Sequence, residues 1–380
     1  MTRTIVDVHV LQTVPPSNIN RDDTGSPKTA IYGGTRRARV SSQAWKRATR
    51  DAFAALLDPH ELGVRTKRVV ELVAQEITRQ DPSLTEAAPV LAEAVLTAAG
   101  IKIVPARKSK DGALAESGYL LFLSARQING LAELAVSTAH GDDTGKPTFA
   151  KTEARARADQ EHSVDVALFG RMVADVTDLN VDAAAQVAHA LSVHAVTSEY
   201  DYFTAVDDHK KADTEEDAGA GMIGTVEFNS STLYRYATVD VDRLHDNLGH
   251  GQATCRAVEA FVHAFVTSMP TGKQNTFANR TLPDAVLVVV RDTQSINLVG
   301  AYEDAINGHE PAGRIPTAIR RLVDHGRDMH DAFDQQPVEA WGIGIGDQAA
   351  VLGEIAQRCS LNTAIAALGS LVAQRVTDPA

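Results

Sequence analysis

The sequence has 380 residues, with 37 Lys plus Arg against 49 Asp plus Glu, a formal net charge of −12, and 44% hydrophobic but 5% aromatic residues. That length supports two or three domain-sized units with real cores, and the composition excludes a disordered chain. Two distant cysteines, Cys255 and Cys359, with no CxxC exclude a zinc ribbon and a disulfide framework.

Residues 4–14 (TIVDVHVLQTV) are β-branched and partly alternating, which predicts a strand closed by Pro15-Pro16. Residues 15–35 are polar and glycine-bearing and read as a loop. A helix follows, capped by Ser41 or Ser42 and running to Leu57. Residues 65–99 read as amphipathic helix, 100–118 as loop, and Tyr119–Leu123 as a short strand. Residues 141–158 are polar, and 159–196 read as mostly helical. Residues 200–221 form an acidic excursion ending in glycines, and 222–240 read as strand. A helix is expected at 251–268, a polar loop from Pro270 to Arg280, a buried strand at 285–291 (AVLVVVR), and two helices after Pro316. Strands at both ends of a core with a helical stretch between them fit an α+β fold with a helical insertion better than regular βαβ alternation.

Charge is unevenly distributed. Residues 1–50 hold Arg3, Arg21, Lys28, Arg36, Arg37, Arg39, Lys46, Arg47 and Arg50 against Asp7, Asp22 and Asp23, so this segment is +6 and the remainder −18. Such asymmetry points to an anionic partner at one end. The opening MTRTIVDVHV lacks the apolar core of a signal peptide, and no run of 18 apolar residues occurs. The expectation is a cytoplasmic protein with no membrane partner.

Arg36–Arg50 (RRARVSSQAWKRATR) carries six basic residues and no acidic one. On a helix, Gln43, Lys46, Arg47 and Arg50 share a face opposite Trp45, Ala48, Ala52 and Leu56. Cations in the first turns oppose the helix dipole, and a bound phosphate would reverse that sign. Ser41, Ser42 and Gln43 add neutral donors, and Gly33-Gly34 permits close backbone approach. These residue types fit two readings: a site for a phosphate backbone, or a solvated face paired with acidic residues elsewhere. Tyr200, Tyr202 and Phe203 precede Asp207-Asp208, and such rings pack, stack on bases or dock to another subunit.

Enzyme signatures are lacking. Gly219–Gly224 spells GxGxxG, but an acidic loop precedes it and a strand-like run follows, so it is not a dinucleotide site. GIGIGD at 342–347 is unaccompanied, and neither GxxxxGK[ST] nor HExxH occurs. No metal, cofactor or catalytic residue is expected. The competing enzyme reading is a metal-dependent endoribonuclease using Asp207, Asp208 or His330-Asp331.

Six segments carry a resemblance: Asn20–Asp23, Ile31–Arg50, Val164–Met172 (VDVALFGRM), Asp201–Asp208 (DYFTAVDD), Glu227–Ala237 (EFNSSTLYRYA) and Gly272–Asn279 (GKQNTFAN). In order and together they resemble the CasC family, the backbone subunits of the type I-E CRISPR Cascade within the RAMP superfamily. The resemblance implies a palm similar to an RNA-recognition-motif (ferredoxin-like) sheet, from residues 1–58 and 186–380. It implies helical fingers at 59–185 and a thumb loop at about 198–224. It implies a non-catalytic subunit that polymerises head-to-tail with other copies of itself along the CRISPR RNA. Such a subunit binds other Cascade subunits and presents the guide for pairing with target DNA in antiviral defence. Carried onto this chain, Arg21, Lys28, Ser41, Ser42, Gln43, Lys46, Arg47 and Arg50 contact guide phosphates and sugars. Met172, beside Arg171, wedges against bases; Tyr202 and Phe203 form the thumb base; Lys273 and Gln274 lie near the nucleic-acid groove.

Overall fold

The computed structural model describes residues 3–106, 113–141, 148–172, 179–205, 222–308 and 310–376. The chain begins with β1 (Ile5–Ser17), β2 (Thr29–Tyr32), β3 (Thr35–Val40) and α1 (Ser42–Ala52). Next come β4 (Gly63–Thr66), α2 (Val69–Gln80), α3 (Ala88–Ala98), β5 (Ile103–Val104), β6 (Glu116–Ser117) and β7 (Leu121–Ser124). Helices α4 (Ala125–Gly141), α5 (Lys151–Asp159) and α6 (Val164–Phe169) lead to β8 (Ala185–Val187), β9 (Ala190–Ser192), β10 (Glu199–Ala205) and β11 (Met222–Asp240). The chain continues through α7 (Val241–Leu248), α8 (Gly251–Thr267), α9 (Gln274–Phe277) and β12 (Ala285–Arg291). It closes with α10 (Arg314–Ala332), β13 (Glu339–Gly344), β14 (Gln357–Arg358) and α11 (Leu361–Arg375).

These elements form two compact units. The first comprises Met1–Ala52, Val187–Thr238 and Phe261–Leu368; the second comprises Phe53–Gln186, Val239–Ala260 and Gly369–Ala380. The fold is mixed α+β, as the order of strand-like and helix-like segments predicts. A large sheet runs β14-β13-β12-β1-β11-β9-β3-β2, with β10 added on β11. β1 and β12 pair antiparallel from Ile5↔Arg291 to Leu11↔Ala285, and both are buried over that register. Burial on both faces is why these strands read as near-continuous apolar runs. One core of the first unit gathers Leu11, Tyr234, Leu287, Val289, Leu322 and Val323. A second, under α1, gathers Val14, Val40, Trp45 and Leu233. In the second unit, α2, α3, α4 and α5 close over Val73, Ile77, Leu96 and Leu131.

Several expectations change. β1 runs through Pro15-Pro16 to Ser17 because its β12 register ends at Leu11, so the missing proline N–H groups cost no bond to β12. Within the expected loop at 15–35, β2 pairs with β3 through Gly33-Gly34. Both glycines have positive φ, 55° and 72°, as a two-residue primed turn requires. Their role is therefore to close a hairpin. α1 stops at Ala52 rather than Leu57 and gives way to a short 3₁₀ turn at Phe53–Ala55. Residues 141–158 include part of α5, while the described residues of 159–196 hold the end of α5 and the short helix α6 before turning to strands β8 and β9. Alanine-rich composition mimicked helix there; pairing of β9 with β3 and β11 decides otherwise.

Candidate nucleic-acid interface

α1 starts where the sequence places it. The Ser41 hydroxyl accepts from the Ala44 N–H at 3.2 Å, while the Asn20 side-chain oxygen accepts from the Ser41 N–H at 2.8 Å. The cap thus ties the helix start to the 18–21 segment. Trp45 and Thr49 face inward, and no acidic residue lies in the first turn. Gln43 and Arg47 face solvent, whereas Lys46 and Arg50 are half-buried. Burial holds the Lys46 ammonium below the ordinary lysine range. Arg47 pairs with Asp51 at 3.7 Å across one exposed helical turn.

Beside α1 lies a groove of about 670 Å³ formed wholly within the first unit. Three separate segments line it. Asn20 and Arg21 come from the first, Ser41, Gln43, Arg47 and Asp51 from α1, and Ser268, Lys273, Gln274, Asn279 and Arg280 from the loop after α8. Gly272 seats that loop: a Cβ there would strike the Ile19 carbonyl, so backbone lies directly on backbone. Lys273 and Ala278 flank α9 with φ of 51° and 47°, strained conformations that turn this loop around the groove rim. Asp22 is taken up locally, its carboxylate accepting from Thr24 and Ser26 N–H groups, and the Thr24 hydroxyl holds its pKa low. The exposed rim is therefore cationic, from Arg21, Arg47 and Arg280. Lys28 lines an adjoining hollow with Asn20, Arg39 and Asn229. Sequence reasoning misses Ser268, Asn279 and Arg280 as groove residues, although the GKQNTFAN segment ends at Asn279 and so contains the signal.

Not every basic residue of the segment serves the groove. Arg37 is buried, donating to the Ser192, Tyr302 and Glu303 carbonyls. Arg171, which the resemblance places at the guide, lies inside the fold. It is 4% exposed and donates to the Leu179 carbonyl at 2.7 Å and to Asp159 at 3.0 Å. Its guanidinium is spent inside the second unit, where it fastens the chain next to Met172, which is 87% exposed. Ser42 is half-buried at the first turn of α1.

The acidic excursion begins as a hairpin. β10 and β11 pair antiparallel from Glu199↔Phe228 to Ala205↔Met222. Tyr202 and Phe203 remain 61% and 41% exposed. Phe203 lies opposite Gly224, and its ring occupies the space that a Cβ at Gly224 would fill. The last glycine of the GxGxxG string thus accommodates an aromatic ring. Residues 206–221, with Asp207 and Asp208, lie outside the described residues.

The other residues of the enzyme reading are placed. His330 is buried, and its Nε2 accepts from the Arg291 guanidinium at 3.1 Å. Arg291 in turn pairs with the buried Asp7 carboxylate at 2.9 Å. A guanidinium donor on the imidazole nitrogen leaves that atom no lone pair for a metal. Asp331 instead accepts from the Gln336 amide at 2.8 Å. Among the described residues, no group of three His, Cys, Asp or Glu side chains could hold a metal ion. No described helix is long and apolar enough to cross a membrane.

Fold and groove together define a mixed α+β protein with a cationic, amide-lined cleft built beside a capped helix. Comparison with known proteins then places the chain. Residues 6–367 match the family described as CT1975-like protein, and the chain belongs to that family. It is similar to a chain of a solved "CRISPR RNA-guided surveillance complex, pre-nicking", with 34% identity, a TM-score of 0.81, and coverage of 96% of this chain and 100% of that one. It is also similar to a chain of a solved "CRISPR RNA-guided surveillance complex", with 30% identity, a TM-score of 0.69, and coverage of 96% and 99%. Family and likeness together make it a CRISPR protein of the Cascade type. A comparison with curated proteins finds no match.

Proposed function

We propose that this protein is a non-catalytic backbone subunit of a type I-E Cascade that polymerises head-to-tail along the CRISPR RNA. The groove beside α1 carries the proposal: Arg21, Arg47, Lys273 and Arg280 converge there from three distant segments. Cations with neighbouring hydroxyls and amides grip a sugar–phosphate chain without reading its sequence. Specificity is then delegated to base pairing. In this reading the first unit supplies the palm and the α2–α6 region the fingers. The β10–β11 hairpin is the stem of a thumb that kinks the guide at intervals, with Tyr202 and Phe203 at its base and Met172 wedging against bases. Interrupting the guide displays short, pre-ordered stretches to target DNA, which lowers the entropy lost on pairing. Contacts between unlike surfaces of successive copies give an open helix.

The test is recovery of the protein from cells that carry a CRISPR locus. The expected result is co-purifying RNA of one uniform length, left intact on incubation with divalent ions. A nucleic-acid-free preparation that still assembles would overturn the RNA-backbone reading. Metal-dependent cleavage would overturn the non-catalytic one.

A further inference from the structure

Beneath the cationic rim the groove is lined by neutral groups that have no partner. Asn279 is 2% exposed and Ser268 is 6% exposed, and both line the groove. The Asn279 Nδ2 and the Ser268 Oγ have no hydrogen-bond partner in the structure. In the adjoining hollow, the buried Asn229 Nδ2 is also unpartnered. Buried polar groups are almost always satisfied, so these atoms, closed to solvent and without a partner, mark where a ligand seated in the groove can supply one.

The two layers differ in what they can distinguish. Arg21, Arg47 and Arg280 on the rim attract phosphate, which RNA and DNA share. Only the ribose 2′-hydroxyl separates the two polymers along a single-stranded backbone, and it both donates and accepts. A side-chain amide N–H can donate to that oxygen, and a serine Oγ can accept its proton. Gly272 holds the Ser268–Asn279 loop with its backbone against Ile19, so these groups sit on a fixed support.

We propose that Asn279 and Ser268 read the ribose 2′-hydroxyl and make this groove select RNA over DNA. The proposal rests on the groove being the guide site. It adds that a pair of buried neutral side chains, and not the basic rim, sets the sugar preference. A site built to bond a hydroxyl rejects a ligand lacking it, because the buried partners are then left unpaired in the complex.

The experiment measures binding of the full chain to an RNA oligonucleotide, the DNA of the same sequence, and the 2′-O-methyl RNA, by fluorescence anisotropy. Wild-type protein should bind RNA about tenfold or more tighter than DNA, with the 2′-O-methyl RNA close to DNA, as loss of one or two hydrogen bonds requires. Asn279→Ala and Ser268→Ala should each weaken RNA binding about three- to tenfold, leave DNA binding unchanged, and leave the salt dependence of RNA binding unaltered. Equal losses for RNA and DNA in these variants, or no loss for either, would overturn the proposal. Should a variant fail to fold, the wild-type comparison decides: equal affinity for RNA and its 2′-O-methyl form sinks the inference. Failure of wild-type protein to bind either polymer would instead remove the guide-site reading on which it rests.

Discussion

The guanidinium of Arg235 lies over the indole of Trp45, with 3.7 Å from its Cζ to the ring centroid. Both residues are fully buried. Arg235 also lies 4.6 Å from the Phe265 ring centroid, donates to the Gln12 side-chain oxygen at 2.5 Å, and donates to the Phe265 carbonyl. Burial pushes its pKa down to about 9. The basic helix thus rests on a cation held inside the first unit, and the ring between them is its seat. A desolvated cation–π contact contributes about 2 kcal/mol, beyond the burial of the ring itself. Trp45→Ala should therefore cost about 3–5 kcal/mol in urea unfolding, leaving both a cavity and an uncovered charge. Trp45→Phe keeps a ring under the guanidinium and removes an indole N–H that has no partner, so it should cost distinctly less. Equal losses for the two variants would show that the stacked ring contributes nothing specific.

How far the sequence leads differs from place to place, and Trp45 shows why. Its position opposite Arg47 and Arg50 is legible from helical periodicity, and so is the Ser41 cap, because both depend on neighbours within a few residues. Arg235 is not legible as its partner, because it lies 190 positions away and only the pairing of β11 in the sheet brings it there. The resemblance alone places Arg171 among the guide contacts, whereas the Leu179 and Ala158 carbonyls enclose its guanidinium. The groove is half legible. Lys273, Gln274 and Asn279 come from a recognisable segment, but Ser268 declares itself only through burial without a partner.

The buried histidines make stability depend on pH. His330 is held down to about 4, first by burial and then by the Arg291 charge beside it. His194 is also held down to about 4 by burial, although a bond to the Ala195 carbonyl opposes the shift. Both stay neutral in the fold, whereas the unfolded chain protonates them near 6.5. The unfolded state therefore binds more protons between about 6.5 and about 4. Stability is fully present above that window and is lost as pH falls through it, at about 1.4 kcal/mol per pH unit for each histidine. Urea unfolding at a series of pH values should show this slope, and His330→Gln should flatten it by about one proton. A variant with the wild-type slope would show that His330 titrates normally in the fold.

Gly224 opposite Phe203 sets a local test on the hairpin stem. A valine there would occupy the space the Phe203 ring now fills, so the ring must leave the strand face. The β10–β11 stem loses cross-strand packing of about 0.2–1 kcal/mol, a small part of total stability. Gly224→Val should hence shift the melting temperature little while weakening any periodic nuclease protection of bound RNA. Protection unchanged in period and depth would detach this hairpin from the guide.

Charge removal on the groove rim separates a backbone grip from base reading. Arg47 lies on the open face of α1 with 82% of its side chain exposed, and among the described residues it pairs with Asp51 alone, a loose contact at 3.7 Å. Such exposed pairs contribute about 0–1 kcal/mol, so Arg47→Gln should leave folding nearly intact. Lys273 sits across the groove on the strained loop. If both side chains hold phosphates of a single strand, each substitution to glutamine should lower the slope of log affinity against log salt by about 0.7. The loss should be the same for RNAs of unrelated sequence, because phosphates carry no base identity. A change in base preference at constant salt slope would place these two cations against bases or protein instead, and would move the guide away from α1.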